Sequence, residues 1–172
     1  VMFFVLSGFL ISYLLFKEKE VTKTVNIKHF YIRRLLKIWP LYFFIVFLAF
    51  FILPHIEFFA AQGIRNELND HFITKILLYV FFLPNLVLRL FSAIPYVSHA
   101  WSIGAEEQFY LIWPGLVKNI RNKWLLMFGV IGVYLSIKFA LLLLPSSNPV
   151  KVARGFWEST PIDCMAIGGL FA

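Results

Sequence analysis

The sequence predicts an all-α fold, a polytopic transmembrane helical bundle (a fragment) of roughly five membrane segments plus a truncated last one. Three observations predict it. Of 172 residues, 60% are hydrophobic and 15% charged; a soluble domain has about 45–50% and about 25%, so the surplus apolar surface needs lipid as its solvent. The apolar residues fall in runs close to the ~20 residues that cross a hydrocarbon core of about 30 Å. The basic residues, which give a formal net charge of +7, gather between those runs. Such charge belongs to the cytoplasmic membrane face and not to nucleic acid, because no soluble fold remains to present it. The single Cys164 excludes an internal disulfide.

Val1 to Phe16 reads as the tail of a first span, with the small pair Ser7-Gly8 at the centre of its Phe3, Ser7, Leu10, Leu14 face. A loop from Lys17 to Lys37 follows, carrying seven of the sixteen Lys and Arg, and by the positive-inside rule it is cytoplasmic. Ile38 to Leu53 is the second span, with Trp39-Pro40 in its first turn and Pro54 closing it. The segment His55 to Phe72, with Glu57, Arg65, Glu67 and Asp70, is nearly neutral and suits the opposite face.

Ile73 to Phe91 is apolar enough to span, but Pro84-Asn85 interrupts it, giving either a kinked span or a re-entrant pair of half-helices. Trp101 to Val117 is apolar apart from Ser102, Glu106, Glu107 and Gln108, and Lys118, Arg121 and Lys123 form a second basic loop. If both stretches spanned, strict alternation would put that loop outside, against the positive-inside rule. The re-entrant hairpin at Pro84-Asn85 resolves the conflict and returns the loop to the cytoplasm. Trp124 to Leu144 is the cleanest span, Pro145 to Pro149 is a loop, and Asp163 opens the truncated final span. The sequence starts inside an apolar run at Val1 and ends in another at Ala172, so it reads as a piece of a larger membrane protein without a signal peptide.

Two constellations carry chemistry. Arg33, Arg34 and Lys37 lie within about one and a half helical turns at the membrane face. They read either as anchors on anionic headgroups or as a phosphate-binding set, since Arg grips phosphate with a planar fork. In a helical Trp101 to Pro114, the residues Ser102, Glu106, Tyr110 and Trp113 share one face. A carboxylate inside a span is a functional-site hypothesis by default, whereas a Glu near a helix start also reads as a cap on the dipole. The histidines His29, His55, His71 and His99 lie apart, without metal-ligand spacing, so they read as surface residues, and no metal site is expected. Cys164 reads as a packing or lipid-facing residue, and Ser7-Gly8 as a close helix crossing rather than a nucleophile.

Four stretches together resemble the acyltransferase 3 family of integral membrane O-acyltransferases. They are Phe3 to Ile11 (FFVLSGFLI), Phe30 to Pro40 (FYIRRLLKIWP), His99 to Pro114 (HAWSIGAEEQFYLIWP) and, more weakly, Ile162 to Ala172 (IDCMAIGGLFA). The resemblance covers nearly the whole chain and implies that residues 1–172 are part of one membrane domain. It implies transfer of an acyl group, usually acetyl, from cytosolic acyl-CoA to a hydroxyl of an extracytoplasmic glycan or cell-surface polysaccharide. No bound cofactor is expected; acyl-CoA is the donor substrate, and membrane lipid and the glycan are the partners. The family's catalytic His is expected upstream of Val1. Its Arg-x-x-Arg falls on Arg34 and Lys37, where Lys keeps the charge but loses the fork. The candidate site is therefore Glu106 and Glu107 for polar work in transfer, with Arg33, Arg34 and Lys37 for the CoA phosphates. The expected location is the cell membrane, multi-pass, in the bacterial inner membrane. The alternative function is a non-catalytic transporter or lipid-handling membrane protein using the same polar residues as a path.

Overall fold

Helices build the whole architecture, with no strand among the described residues of the computed structural model, which are 1–56, 68–91, 93–94, 96–120 and 122–172. In chain order they are α1 (Met2–Thr22), α2 (Ile27–Phe47), a π-helical turn (Leu48–Ile52), a 3-10 turn (Leu53–His55), α3 (Phe72–Val80), α4 (Pro84–Leu90), α5 (Ala100–Asn119), α6 (Lys123–Leu143), α7 (Asn148–Glu158) and α8 (Ile162–Leu170). Among the described residues, two helices are long and apolar enough to cross a membrane: Ile27–His55, of 29 residues and mean hydropathy 2.3, and Lys123–Leu143, of 21 residues and 2.2. Much of the expected polar segment after His55, with Glu57, Arg65 and Glu67, lies outside the described residues, as do Pro95 and Arg121.

The chain divides into two compact units. One is Val1–Phe30 with Ala105–Ala172, the other Tyr31–Gly104, so the boundaries fall within α2 and α5. In the first unit α8 packs on α1 and α6, and α7 on α6. The α1–α8 contact is backbone on backbone: a Cβ on Gly8 would overlap the Met165 carbonyl, and one on Gly168 would overlap the Val5 carbonyl. This is the close crossing expected of Gly8, since association in lipid relies on packing that small residues permit.

Polar contacts then fix the direction of α5. Ser7 Oγ and Tyr110 Oη lie 2.8 Å apart, Trp113 Nε1 donates to Ser12 Oγ at 2.9 Å, and Lys19 Nζ donates to the carbonyls of Val117, Lys118 and Ile120. Successive residues of α1 meet successive residues of α5, so the two helices run in the same direction. A second cation does similar work at the end of α6. Arg154 donates to the carbonyls of Leu141, Leu142 and Leu144, satisfying groups that a helix terminus leaves without intrahelical partners.

The second unit is built around aromatic rings. Phe82, with a φ of 57°, stacks on Tyr42 at 4.7 Å and meets Trp39 at 5.1 Å. A bulky residue in the left-handed region is strained, and this packing is what holds it there. Tyr42 Oη donates to the Tyr79 carbonyl at 2.8 Å, joining α2 to α3. Gly104, at the start of α5, sits where a Cβ would meet Pro84 Cδ at 2.6 Å, so the glycine of the Trp101 to Pro114 stretch is there to let α5 pack on the break.

Several expectations need correction. Lys17 to Lys37 is mostly helix, with only Lys23 to Asn26 between α1 and α2; Lys and Arg are good helix formers, and the charge rule locates a face without specifying a loop. Lys23 closes α1 at φ 62°, and Asn26 Oδ1 accepts the His29 N–H at 3.1 Å as α2 begins. Trp39-Pro40 is therefore deep inside α2 and not in its first turn. The break in Ile73 to Phe91 is real, but its turn is Phe81 to Leu83 and Pro84 opens α4, because Pro has no N–H to lose at a helix start. The loop expected up to Pro149 is cut short by α7, which begins at Asn148 on the same logic.

Candidate functional site

Helix α5 places the two acidic candidates. Glu106 and Glu107 are the seventh and eighth residues of Ala100–Asn119 and are 7% and 5% exposed. The free N–H groups of a helix belong to its first four residues, so neither Glu serves as a cap. Both are buried, although they point about 100° apart. The expected face is also present: Tyr110 and Trp113, one and two turns on from Glu106, are buried and carry the bonds to Ser7 and Ser12. Phe30 closes over Tyr110 edge to face at 6.4 Å, and Phe109 stacks on Trp113 at 4.5 Å. Ser7 thus positions Tyr110, while its neighbour Gly8 makes the crossing with α8.

Burying a charge costs several kcal/mol unless other groups compensate it, so a pair of carboxylates in the interior of an apolar helix is an expensive feature. Packing alone would be better served by Gln or Leu. The arrangement can hold and orient a proton or a cationic group away from water.

The basic candidates belong to the other unit, on the first turns of α2. Arg33 and Lys37, four residues apart, share one exposed face, while Arg34 points about 100° away and is half-buried and engaged. The structure therefore keeps Arg33 and Lys37 together and separates Arg34 from them. All four histidines are exposed. A buried cation escaped the sequence reading: Lys75 in α3 is 2% exposed, with Nζ 5.2 Å from the centre of the Phe91 ring. The available signal was a cation near the start of an apolar stretch.

A family model described as an acyltransferase domain matches residues 1–172. Among curated proteins, the chain is 30% identical over 168 residues to the peptidoglycan O-acetyltransferase OatA of Listeria monocytogenes, covering 89% of this chain and 26% of that protein. It is 26% identical over 182 residues to a protein of Staphylococcus aureus named as an O-acetyltransferase, covering 99% of this chain and 29% of that one. It is 32% identical over 151 residues to an uncharacterized protein of Haemophilus influenzae, covering 84% of this chain and 58% of that one. The chain thus spans about a quarter of the length of the two O-acetyltransferases. No solved structure matches it. With the family match running from the first residue to the last, this helical chain belongs to the acyltransferase 3 family.

Proposed function

We infer that the protein carrying this chain is a membrane O-acyltransferase, and that residues 1–172 are part of its membrane domain. It moves an acyl group, acetyl by analogy with the named relatives, from cytosolic acyl-CoA to a hydroxyl of an extracytoplasmic glycan in a bacterial inner membrane. The observation that carries this reading is the buried pair Glu106 and Glu107 inside α5, in a chain that matches the acyltransferase family end to end. A conduit for a transported solute would use such acids equally well, but the family match favours catalysis.

In the transfer, the acceptor oxygen bonds to the acyl carbon, the thioester C–S bond breaks, and the hydroxyl proton must be taken up while CoA leaves as its thiol. Glu106 and Glu107 supply buried carboxylates that orient or receive charge during that proton movement. Arg33 and Lys37, exposed on one face of α2, suit the phosphates of the donor, and Arg34 contributes from its half-buried position.

The test is to reconstitute the protein in vesicles with labelled acetyl-CoA and a glycan acceptor, and to identify the product. Label appearing as an O-acetyl ester on the glycan supports the reading. Passage of an unmodified solute, with no ester formed, would replace it with transport.

A further inference from the structure

The π-helical and 3-10 turns that follow α2 border a cavity that the donor and acid candidates do not touch. Its volume is about 360 Å³, and Phe50, Phe51, Pro54, His55, Asn69 and Phe72 line it. Two of these rings come from the π-helical turn Leu48–Ile52, an irregularity that often marks functional sites. Phe50 and Phe51 both meet Phe72 edge to face, at 5.7 and 5.9 Å, and Phe51 remains 45% exposed. From Ile27 to His55 is 29 residues, about 43 Å at 1.5 Å per residue, so the cavity lies at the opposite end of this membrane-length helix from Arg33, Arg34 and Lys37.

We propose that this cavity is a saccharide subsite for the acceptor glycan, a claim that rests on the O-acyltransferase reading above. The lining decides the ligand class. A pyranose has an apolar C–H face that an exposed ring such as Phe51 can cover, and hydroxyls that both donate and accept. The Asn69 amide and the His55 imidazole match those hydroxyls, since each offers a donor and an acceptor. Among the described lining residues there is no Lys or Arg, so a phosphate or an anionic headgroup finds no cation to pair with. The volume falls within the roughly 300–1,000 Å³ usual for small-ligand sites.

The probe is a soluble β-1,4-linked N-acetylhexosamine tetrasaccharide, and the variants are Asn69→Ala and Phe51→Ala, both at exposed positions. Direct binding to the purified protein is measured beside acyl transfer. The subsite predicts that each variant weakens tetrasaccharide binding and raises the acceptor KM by about fivefold or more, the loss of one contact's worth, with the donor KM unchanged. Transfer that continues with unaltered acceptor KM and binding in both variants would overturn the subsite and leave the O-acyltransferase reading standing. Binding that is lost in the variants of a protein showing no acyl transfer would sustain the subsite and remove that reading instead. Failure of the unsubstituted protein to bind the tetrasaccharide overturns the subsite outright.

Discussion

Lys19, one turn from the end of α1, donates to the Ile120 carbonyl at 2.9 Å, just beyond the end of α5. Lys19 and the C-terminal end of α5 therefore lie at one end of the same unit. If α1, α2 and α5 each cross the membrane, the parallel course of α1 and α5 requires 73–91 to leave it on the face where it entered. Neither α3, of nine residues, nor α4, of seven, reaches across a ~30 Å core by itself. This supports the re-entrant arrangement. In a Cys164→Ser background, an impermeant maleimide added outside the cell should modify Asp70→Cys and leave Lys123→Cys untouched. Labelling of Lys123→Cys from outside would sink the arrangement.

Lys19 also has a measurable structural role. It covers the Val117 and Lys118 carbonyls while the Ile120 N–H takes that of Leu116, so most of the α5 terminus depends on one ammonium group. A hydrogen bond to a charged group contributes roughly 1.5–3 kcal/mol, and Lys19→Met should lower stability by about that amount. Lys19→Arg should recover part of it. Melting of the purified protein decides, and an unchanged Tm for Lys19→Met would show that solvent replaces the ammonium without loss.

The glycines divide into two groups. Gly8→Ala and Gly168→Ala push a methyl into a backbone carbonyl, whereas Gly129 and Gly132 in α6 have nothing within 4 Å of an added Cβ. The first two substitutions should destabilise by about 1–3 kcal/mol or prevent folding. Gly129→Ala and Gly132→Ala should be neutral or stabilise by up to about 1 kcal/mol, the helix-propensity difference. Comparable losses at all four positions would mean that the α1–α8 crossing has no special tightness.

How legible this was depends on the range of the interaction. The helix read as Trp124 to Leu144 is Lys123–Leu143, because an uninterrupted apolar run and a capping Asn122, which accepts from the N–H of Trp124 and Leu125, are both local signals. Gly8 could be read as a crossing residue, but its partner Met165 is more than 150 positions away and no pattern links them. Lys19 read as one more surface cation, because its role depends on where α5 ends. Helix α7 was missed at the Pro-rich loop signal, although Pro149 in a first turn is as good a start as Pro84. Of the candidate site, the residue types were legible; the separation of Arg34 from Arg33 and Lys37 was not, since it depends on what packs against α2.

That separation gives the donor hypothesis a finer test. Arg33→Ala and Lys37→Ala, at exposed positions, should each weaken apparent donor affinity by about tenfold with little change in Tm, since a charge-assisted contact contributes roughly 1.5–3 kcal/mol. Arg34→Ala, at a half-buried position, should lower both donor affinity and stability. If Arg33→Ala and Lys37→Ala leave the apparent donor affinity unchanged, the pair is an anchor on lipid headgroups.

Glu106 is the sharpest test of the acid site. As the seventh residue of α5 it lies beyond the reach of the helix-start N–H groups, so the rival explanation, a cap that Gln could replace, no longer applies. Gln keeps the shape and a hydrogen-bonding carbonyl while removing the charge and the capacity to take a proton. Glu106→Gln should therefore fold and insert normally yet lose about 10²-fold or more in transfer, the usual scale for a group engaged in proton movement. On rotation alone, Glu107→Gln would be milder. Since both residues are buried to a similar degree, Glu107→Gln should also cost activity, with the larger loss at Glu106 because its face continues to Tyr110 and Ser7. Tyr110→Phe, which removes only the hydroxyl facing Ser7, separates support from chemistry: a small loss there beside a large one at Glu106 puts the reaction on the carboxylate. Full transfer by a well-folded Glu106→Gln protein would leave the acid pair with a structural role.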